Sequence, residues 1–276
     1  MTKNKLRRIR IKDFSLRHTL ECGQFFRVRL VDGWYFINSR DTFFKIRQTG
    51  DILEYKGADD KYIKYFFSLD VPLDEILSSI IRDKHIEKAV RLYRGLRIIR
   101  QDPWECLISY ICSSASNIPR IRTCMEGVAE RFGKRIVLDG IESNTFPGPH
   151  IKLQKKALDE IGLGFRARYV QEASQRINDP YLDALRELVY DDAKQLLMQN
   201  LGVGDKVADC VLLFSLGFTE AFPVDRWIKR VMQEVYFRDR PTPNKVIHGF
   251  AREYFGQYAG YAQEYLFMYS RRKGGA

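Results

Sequence analysis

A lysine in the first turn of a helix is an uncommon choice, and the segment NLGVGDKVADC, residues 200–210, makes it. Gly202 and Gly204 suit a tight turn that needs unusual backbone angles, and Asp205 reads as a helix cap. Val207, Ala208, Val211, Leu212 and Phe214 then recur at helical spacing. Lys206 therefore sits at the end of the helix dipole that favours anions. That placement disfavours an ammonium and favours the neutral amine, the form that acts as a nucleophile. A surface lysine bending toward solvent or a phosphate would fit the same pattern. Nineteen residues later, from 206 to 225, Asp225 follows Pro223 and Val224 and opens an amphipathic helix carrying Ile228, Val231, Met232 and Val235. It reads as an N-cap, a role that alone would explain it. A cap whose second oxygen faces a cleft can also deprotonate an amine or stabilise a developing cation. A lysine and an aspartate, each at a helix N-terminus, make a nucleophile and acid–base pair.

The elements that must position this pair are legible around it. DDAKQLLMQNLGVGDKVADCVLLFSLG reads as helix, glycine turn, helix. A turn of that kind aims free backbone N–H groups outward and suits a phosphate. An ordinary αα-hairpin with glycines for close packing would read the same way. The first third is rich in aromatic and β-branched runs broken by VDGW and QTGD, which read as hairpin turns. Phe26, Val28 and Leu30 alternate with Arg27 and Arg29, and about four antiparallel strands are expected here. After Pro72 the period turns helical, with Leu73, Ile76, Leu77, Ile80 and Ile81 forming the first stripe. The expected fold is α+β: an N-terminal antiparallel sheet domain over 1–100, then a larger all-helical domain over 101–276.

Composition limits the partners. The 276 residues carry a net charge of +11, with 45% hydrophobic, 29% charged and 13% aromatic residues. Such a chain is globular, and its basic balance favours a polyanion, nucleic acid first and anionic membrane second. The longest apolar runs fall far short of a membrane span. No apolar signal-peptide core follows the basic start MTKNKLRRIRIK, so an intracellular protein is expected, in the cytoplasm or nucleoid of a bacterium or the nucleus of a eukaryote. Cys22, Cys106, Cys112, Cys124 and Cys210 are scattered without a C-x-x-C pair, and the four histidines lack metal spacing. Neither a disulfide framework nor a metal cluster is indicated.

The chain resembles the 8-oxoguanine DNA glycosylase/lyases of the helix-hairpin-helix superfamily. Six ordered blocks carry the resemblance along nearly the whole length: CGQFFRV, LRIIRQDPWECLISYICSSASNIPRI, IGLGFRARYV, GVGDKVADC, PVD and YAGYAQEYLF. The fold it implies is a TATA-binding-protein-like sheet module before the helix-hairpin-helix domain. A C-terminal four-cysteine cluster, the mark of the iron–sulfur branch, is absent. The resemblance implies that Lys206 attacks the sugar C1′ of a damaged nucleotide, expels the base as a Schiff base forms, and cleaves the strand by β-elimination. Asp225 would stabilise the cationic transition state. The flipped purine would lie between Cys210 and Phe267, with Gln263 on its Watson–Crick edge and the Gly23 carbonyl accepting the N7 hydrogen that guanine lacks. Asn117, Arg120 and Arg166 would attend the orphan cytosine, with Phe165 as a wedge, and Gly202 and Gly204 would meet the DNA backbone. The implied partner is double-stranded DNA containing 8-oxoguanine, bound by a monomer. No organic cofactor is implied, although carbonyls between Met198 and Val203 are candidate seats for a structural cation.

This chain departs from the family pattern in places. Ala115 and Ser116 stand where relatives carry asparagines, Phe165 replaces a tyrosine, Trp227 replaces a histidine, and NLGVG lacks a proline common in the hairpin. Two other readings use the same residues: a lysine-bearing glycosylase for another damaged base, and a helix-hairpin-helix DNA-binding module without chemistry.

Overall fold

The computed structural model describes residues 5–274, with side chains through Arg271; the first four residues of the basic start and the last two residues lie outside the described residues. Five strands, β1 (Arg7–Arg10), β2 (Val28–Val31), β3 (Trp34–Ser39), β4 (Thr42–Thr49) and β5 (Ile52–Lys56), form an antiparallel sheet in the order β1-β5-β4-β3-β2. Asp32 and Gly33 join β2 to β3 with φ of 48° and 78°, the two-residue turn whose twist matches the strands it links. Beyond the expected four strands, β1 pairs with β5 through Arg7–Arg10, a basic run that alternates between partly covered and exposed residues. Phe44, Ile46, Leu53 and Tyr55 on one sheet face bury against α1 (Leu16–Glu21) and α2 (Asp60–Phe66), with Phe66 edge-on to Phe44.

The expected alternation around β2 is corrected. Leu30 is 60% exposed, whereas Arg27 is buried. The reason is that β2 is an edge strand, and Arg27 turns inward to meet Glu105, Glu126 and the Asn144 carbonyl. Two carboxylates and a carbonyl match a guanidinium's donors, which makes burial of the charge tolerable. This pairing ties the sheet to the helices that follow.

Those helices are α3 (Leu73–Ile80), α4 (Lys84–Tyr93), α5 (Pro103–Cys112), α6 (Ile118–Phe132), α7 (Lys155–Glu160), α8 (Arg166–Arg176), α9 (Asp179–Ala184), α10 (Tyr190–Met198), α11 (Asp205–Val211), α12 (Arg226–Tyr236), α13 (Asn244–Phe255) and α14 (Ala259–Gly274). A short hairpin of β6 (Arg135–Leu138) and β7 (Ile141–Asn144) interrupts them, turning at Asp139 and Gly140. Helix α5 is the axis of this body: every residue from Trp104 to Cys112 is buried. Helix α11 runs on as a π-turn over Leu212–Leu216 and stops at Gly217, whose φ of 88° suits glycine. Helix α14 packs on α3, α4 and α12, so the helices that follow the sheet share one core with the C-terminal helix. Among the described residues no helix is long and apolar enough to cross a membrane.

Candidate active site

Gly204, rather than Asp205, is the N-cap of α11; Asp205 is its first helical residue. No side chain caps this end, so the first-turn N–H groups keep their donor capacity for a ligand. The two glycines also differ from expectation. Gly202 takes φ of +82°, and a Cβ there would lie 2.5 Å from the Tyr169 ring, whereas Gly204 is extended and a Cβ there would meet nothing within 4 Å. Gly202 thus serves the turn and its packing on α8, and Gly204 leaves open space over the helix end.

Lys206 lies in the first turn of α11 and is partly buried. Its Nζ donates to Ser113 Oγ at 2.9 Å and stands 4.8 Å from the centre of the Tyr110 ring. Ser113 and Tyr110 come from the end of α5, one turn apart, and the sequence reading missed both. Their helical spacing on a segment adjoining SSASN is the signal that could have found them. Behind α11, buried Asp209 accepts from Tyr190 Oη at 2.5 Å and Lys194 Nζ at 3.1 Å, pinning α10 to α11. Burial raises that carboxyl to about 6, against the pull of Lys194.

Asp225 caps α12, accepting from the Ile228 N–H at 2.7 Å as expected. Lys206 and Asp225 open on one cleft of about 1250 Å³, which Gly23, Cys210, Gln263 and Phe267 also line. Every base-binding residue expected from the sequence is therefore in one place.

The Gly23 wall is held rigidly by its neighbour. Gln24 is buried; its Nε2 donates to the Arg97 carbonyl, its Oε1 accepts from Ile99 N–H, and its carbonyl accepts from Tyr110 Oη. The ring beneath Lys206 is thus fastened to the segment carrying Gly23. Gly23 has φ of +100°, and a Cβ there would crowd Ile118 at 3.0 Å and stand 3.9 Å from Phe267. Only glycine fits both demands. Burial pushes the Cys210 thiol up to about 12, so this wall is neutral near physiological pH. Gln263 Oε1 is buried without a partner among the described residues, an acceptor with unmet capacity.

The residues expected at the opposite base are less uniform. Asn117 lines the cleft, and its Oδ1 caps α6 by accepting from the Arg120 N–H at 3.0 Å. Arg120 is exposed, with one contact to the Gly162 carbonyl at 3.2 Å. Phe165 is 54% exposed, an aromatic ring standing out beside Tyr169, as a wedge would. Arg166 is buried instead, with Nε on the Ser114 carbonyl at 2.7 Å and Nη2 on the Ala115 carbonyl at 2.8 Å. It holds the loop between α5 and α6, and reaching an orphan base would require it to release a carbonyl. Within that loop Ala115 takes φ of +48°, a strained choice for alanine. Among the described residues no group of three or more His, Cys, Asp or Glu could hold a metal ion, and all five cysteines are buried and free.

A glycine hairpin thus presents a lysine, and a second helix start presents an aspartate, on one cleft that the Gly23 segment also lines. Residues 8–107 match the model of the 8-oxoguanine DNA glycosylase N-terminal domain, and residues 108–253 match that of the HhH-GPD superfamily base excision DNA repair proteins. A "Probable N-glycosylase/DNA lyase" of Methanothermobacter thermautotrophicus is 32% identical over 97% of this chain and 96% of its own length. An N-glycosylase/DNA lyase of Saccharomyces cerevisiae is 31% identical over 81% of this chain and 69% of its own. The structure of the Clostridium acetobutylicum 8-oxoguanine glycosylase/lyase, bound to duplex DNA with cytosine opposite 8-oxoguanine, superposes with a TM-score of 0.90 at 30% identity, covering 99% of this chain and 100% of that one. The chain belongs to the 8-oxoguanine DNA glycosylase family of the helix-hairpin-helix superfamily.

Proposed function

We propose that the protein excises 8-oxoguanine from duplex DNA, with cytosine as the preferred opposite base, and then cleaves the strand through a lysine Schiff base. The observation that carries this is the opening of Lys206 and Asp225, each at a helix N-terminus, on one cleft that Gly23 also lines. The target base must leave the duplex, because its glycosidic carbon is shielded there. Stacked between Cys210 and Phe267, it would offer its Watson–Crick edge to Gln263, whose unpaired Oε1 suits the N1 and N2 hydrogens. The Gly23 carbonyl accepts the N7 hydrogen of 8-oxoguanine, whereas guanine would set a lone pair against it. The Lys206 amine attacks C1′, the bond to the base breaks, and Asp225 stabilises the positive charge that develops on the sugar. The first-turn N–H groups of α11, with open space over Gly204, suit a backbone phosphate. A cation at the hairpin would use turn carbonyls other than those of Leu197 and Asn200, which already accept from Asn200 and Val203 N–H. No organic cofactor enters this chemistry.

Substrate profiling tests the reading. Duplexes carrying 8-oxoguanine should be excised and nicked in a single turnover, and duplexes with unmodified guanine or an alkylated purine left intact. Turnover of the alkylated duplex alone would establish a different lesion. Binding to undamaged duplex should weaken by about 10³-fold between low and physiological salt, because a chain of net charge +11 releases several counterions on binding. A flat dependence would place the DNA footprint off the basic surface.

Ala115 sets the margin at the opposite base. Ala115→Asn would supply an amide toward the orphan base, where one neutral hydrogen bond contributes about 1 kcal/mol, or about fivefold in relative rate. Asparagine also tolerates a φ of +48° far better than alanine, so the same variant should melt at a higher temperature. Single-turnover excision opposite each of the four bases should show a wider cytosine preference; an unchanged or narrower one would put the discrimination elsewhere.

A further inference from the structure

The cleft holds an acid that the chemistry above leaves unused. Glu264 follows Gln263 on α14 and lines the cleft beside it. It is 4% exposed, and among the described residues its Oε2 has no hydrogen-bond partner. A buried carboxyl oxygen left unmatched costs folding free energy, and such groups persist where function needs them.

Its surroundings tie it to the residues of the site. The Cys22 thiol, one residue before Gly23, lies against its carboxyl, and Arg271 stands beyond on the same helix, donating to the Cys22 carbonyl at 2.9 Å. The charges of Asp225 and Lys206 also act on it. The Cys210 thiol and the Tyr110 phenol complete the titratable groups near it, and burial keeps both neutral. Burial first, then the Asp225 charge, raises Glu264 to about 7, against the opposing pulls of Cys22, Arg271 and Lys206. A large protonated fraction therefore exists at physiological pH.

We propose that Glu264 is the general acid for base departure, a role that rests on reading the protein as a lysine-bearing glycosylase. The Lys206 lone pair forms the Nζ–C1′ bond while the C1′–N9 bond breaks, and that bond's electron pair leaves on the purine. The Glu264 carboxyl gives its proton to the purine. The carboxylate that remains takes a proton from the newly positive amine of Lys206, which restores the acid. Protons and charge balance with no further reagent.

The test compares two substrates that share Lys206 and differ in whether a base must leave. On an 8-oxoguanine duplex, Glu264→Gln should lower single-turnover excision by roughly 100-fold, the scale of general acid catalysis. On a duplex with a preformed abasic site the loss should be no more than a few-fold, so the ratio of the two rates falls. Glu264→Asp, which keeps a carboxyl, should recover part of the excision rate. Wild-type excision should also fall on the alkaline side as pH rises through about 7, and the glutamine variant should lack that limb.

Stability gives a readout independent of activity. A carboxyl raised in the folded state contributes stability that is complete below its unfolded value and lost as pH rises through about 7. Glutamine does not titrate, so its melting temperature relative to wild type should be higher near pH 8 than near pH 5. Equal losses on both substrates, an unaltered excision rate, or a wild-type profile without the alkaline limb would each overturn the role. The last of these needs no variant to fold. Wild-type protein that cleaves the abasic duplex and ignores 8-oxoguanine would instead overturn the substrate reading.

Discussion

Lys206→Gln should lose base release and strand cleavage together, by on the order of 10⁴-fold or more, while still binding the damaged duplex. Glutamine keeps the polarity of the side chain but is one bond shorter, so the contact that the lysine makes with Ser113 Oγ at 2.9 Å is expected to weaken. What it lacks is an amine able to form an imine. The fold should not suffer, because removing a cation from the first turn of α11 relieves an unfavourable dipole contact of about 0.5 kcal/mol. Gel-shift affinity, thermal melting and single-turnover cleavage on one preparation would check the three parts. A variant that still cleaves would locate the nucleophile at another amine.

Asp225→Asn separates a cap from a charge. Asparagine caps helices as well as aspartate does, so the bond to the Ile228 N–H and the start of α12 should survive, with stability within about 0.5 kcal/mol. The negative charge beside the developing cation is lost, and removal of one such preorganised group costs about 10²- to 10³-fold in rate. Asp225→Ala should lose the same rate and in addition about 1 kcal/mol of stability. If Asn retained full excision while Ala lost it, the residue would act only as a cap. Chemical denaturation run alongside single-turnover kinetics on both variants decides between these.

The local signals behind these residues were readable because they are short-range. Proline followed by an acidic cap and a helical stripe identifies Asp225, and glycines ahead of a helix identify Lys206, with tertiary context adjusting only which residue caps α11. The hairpin at Asp139–Gly140 carries the same kind of turn signal between RIVL and IESN, in a short stretch flanked by helices on both sides. Long-range pairing was less legible. Nothing near Arg27 announces that Glu105 and Glu126 will meet it, and an arginine alternating with aliphatic residues reads as solvent-facing. Arg166 is similar, since its carbonyl partners belong to a loop fifty residues earlier. Ser113, Tyr110 and Glu264 enter the cleft only because α5, α11 and α14 converge there, and that convergence is a property of the packed core.

The most direct measurement is borohydride reduction during reaction with an 8-oxoguanine duplex, followed by peptide mapping of the protein cross-linked to DNA. Reduction converts an imine to a stable amine, so it captures only the covalent intermediate. The adduct is predicted on the peptide containing Lys206 and nowhere else, with none from Lys206→Gln. Release of 8-oxoguanine with no trapped species, or an adduct on any other lysine or the N-terminal amine, would contradict the account.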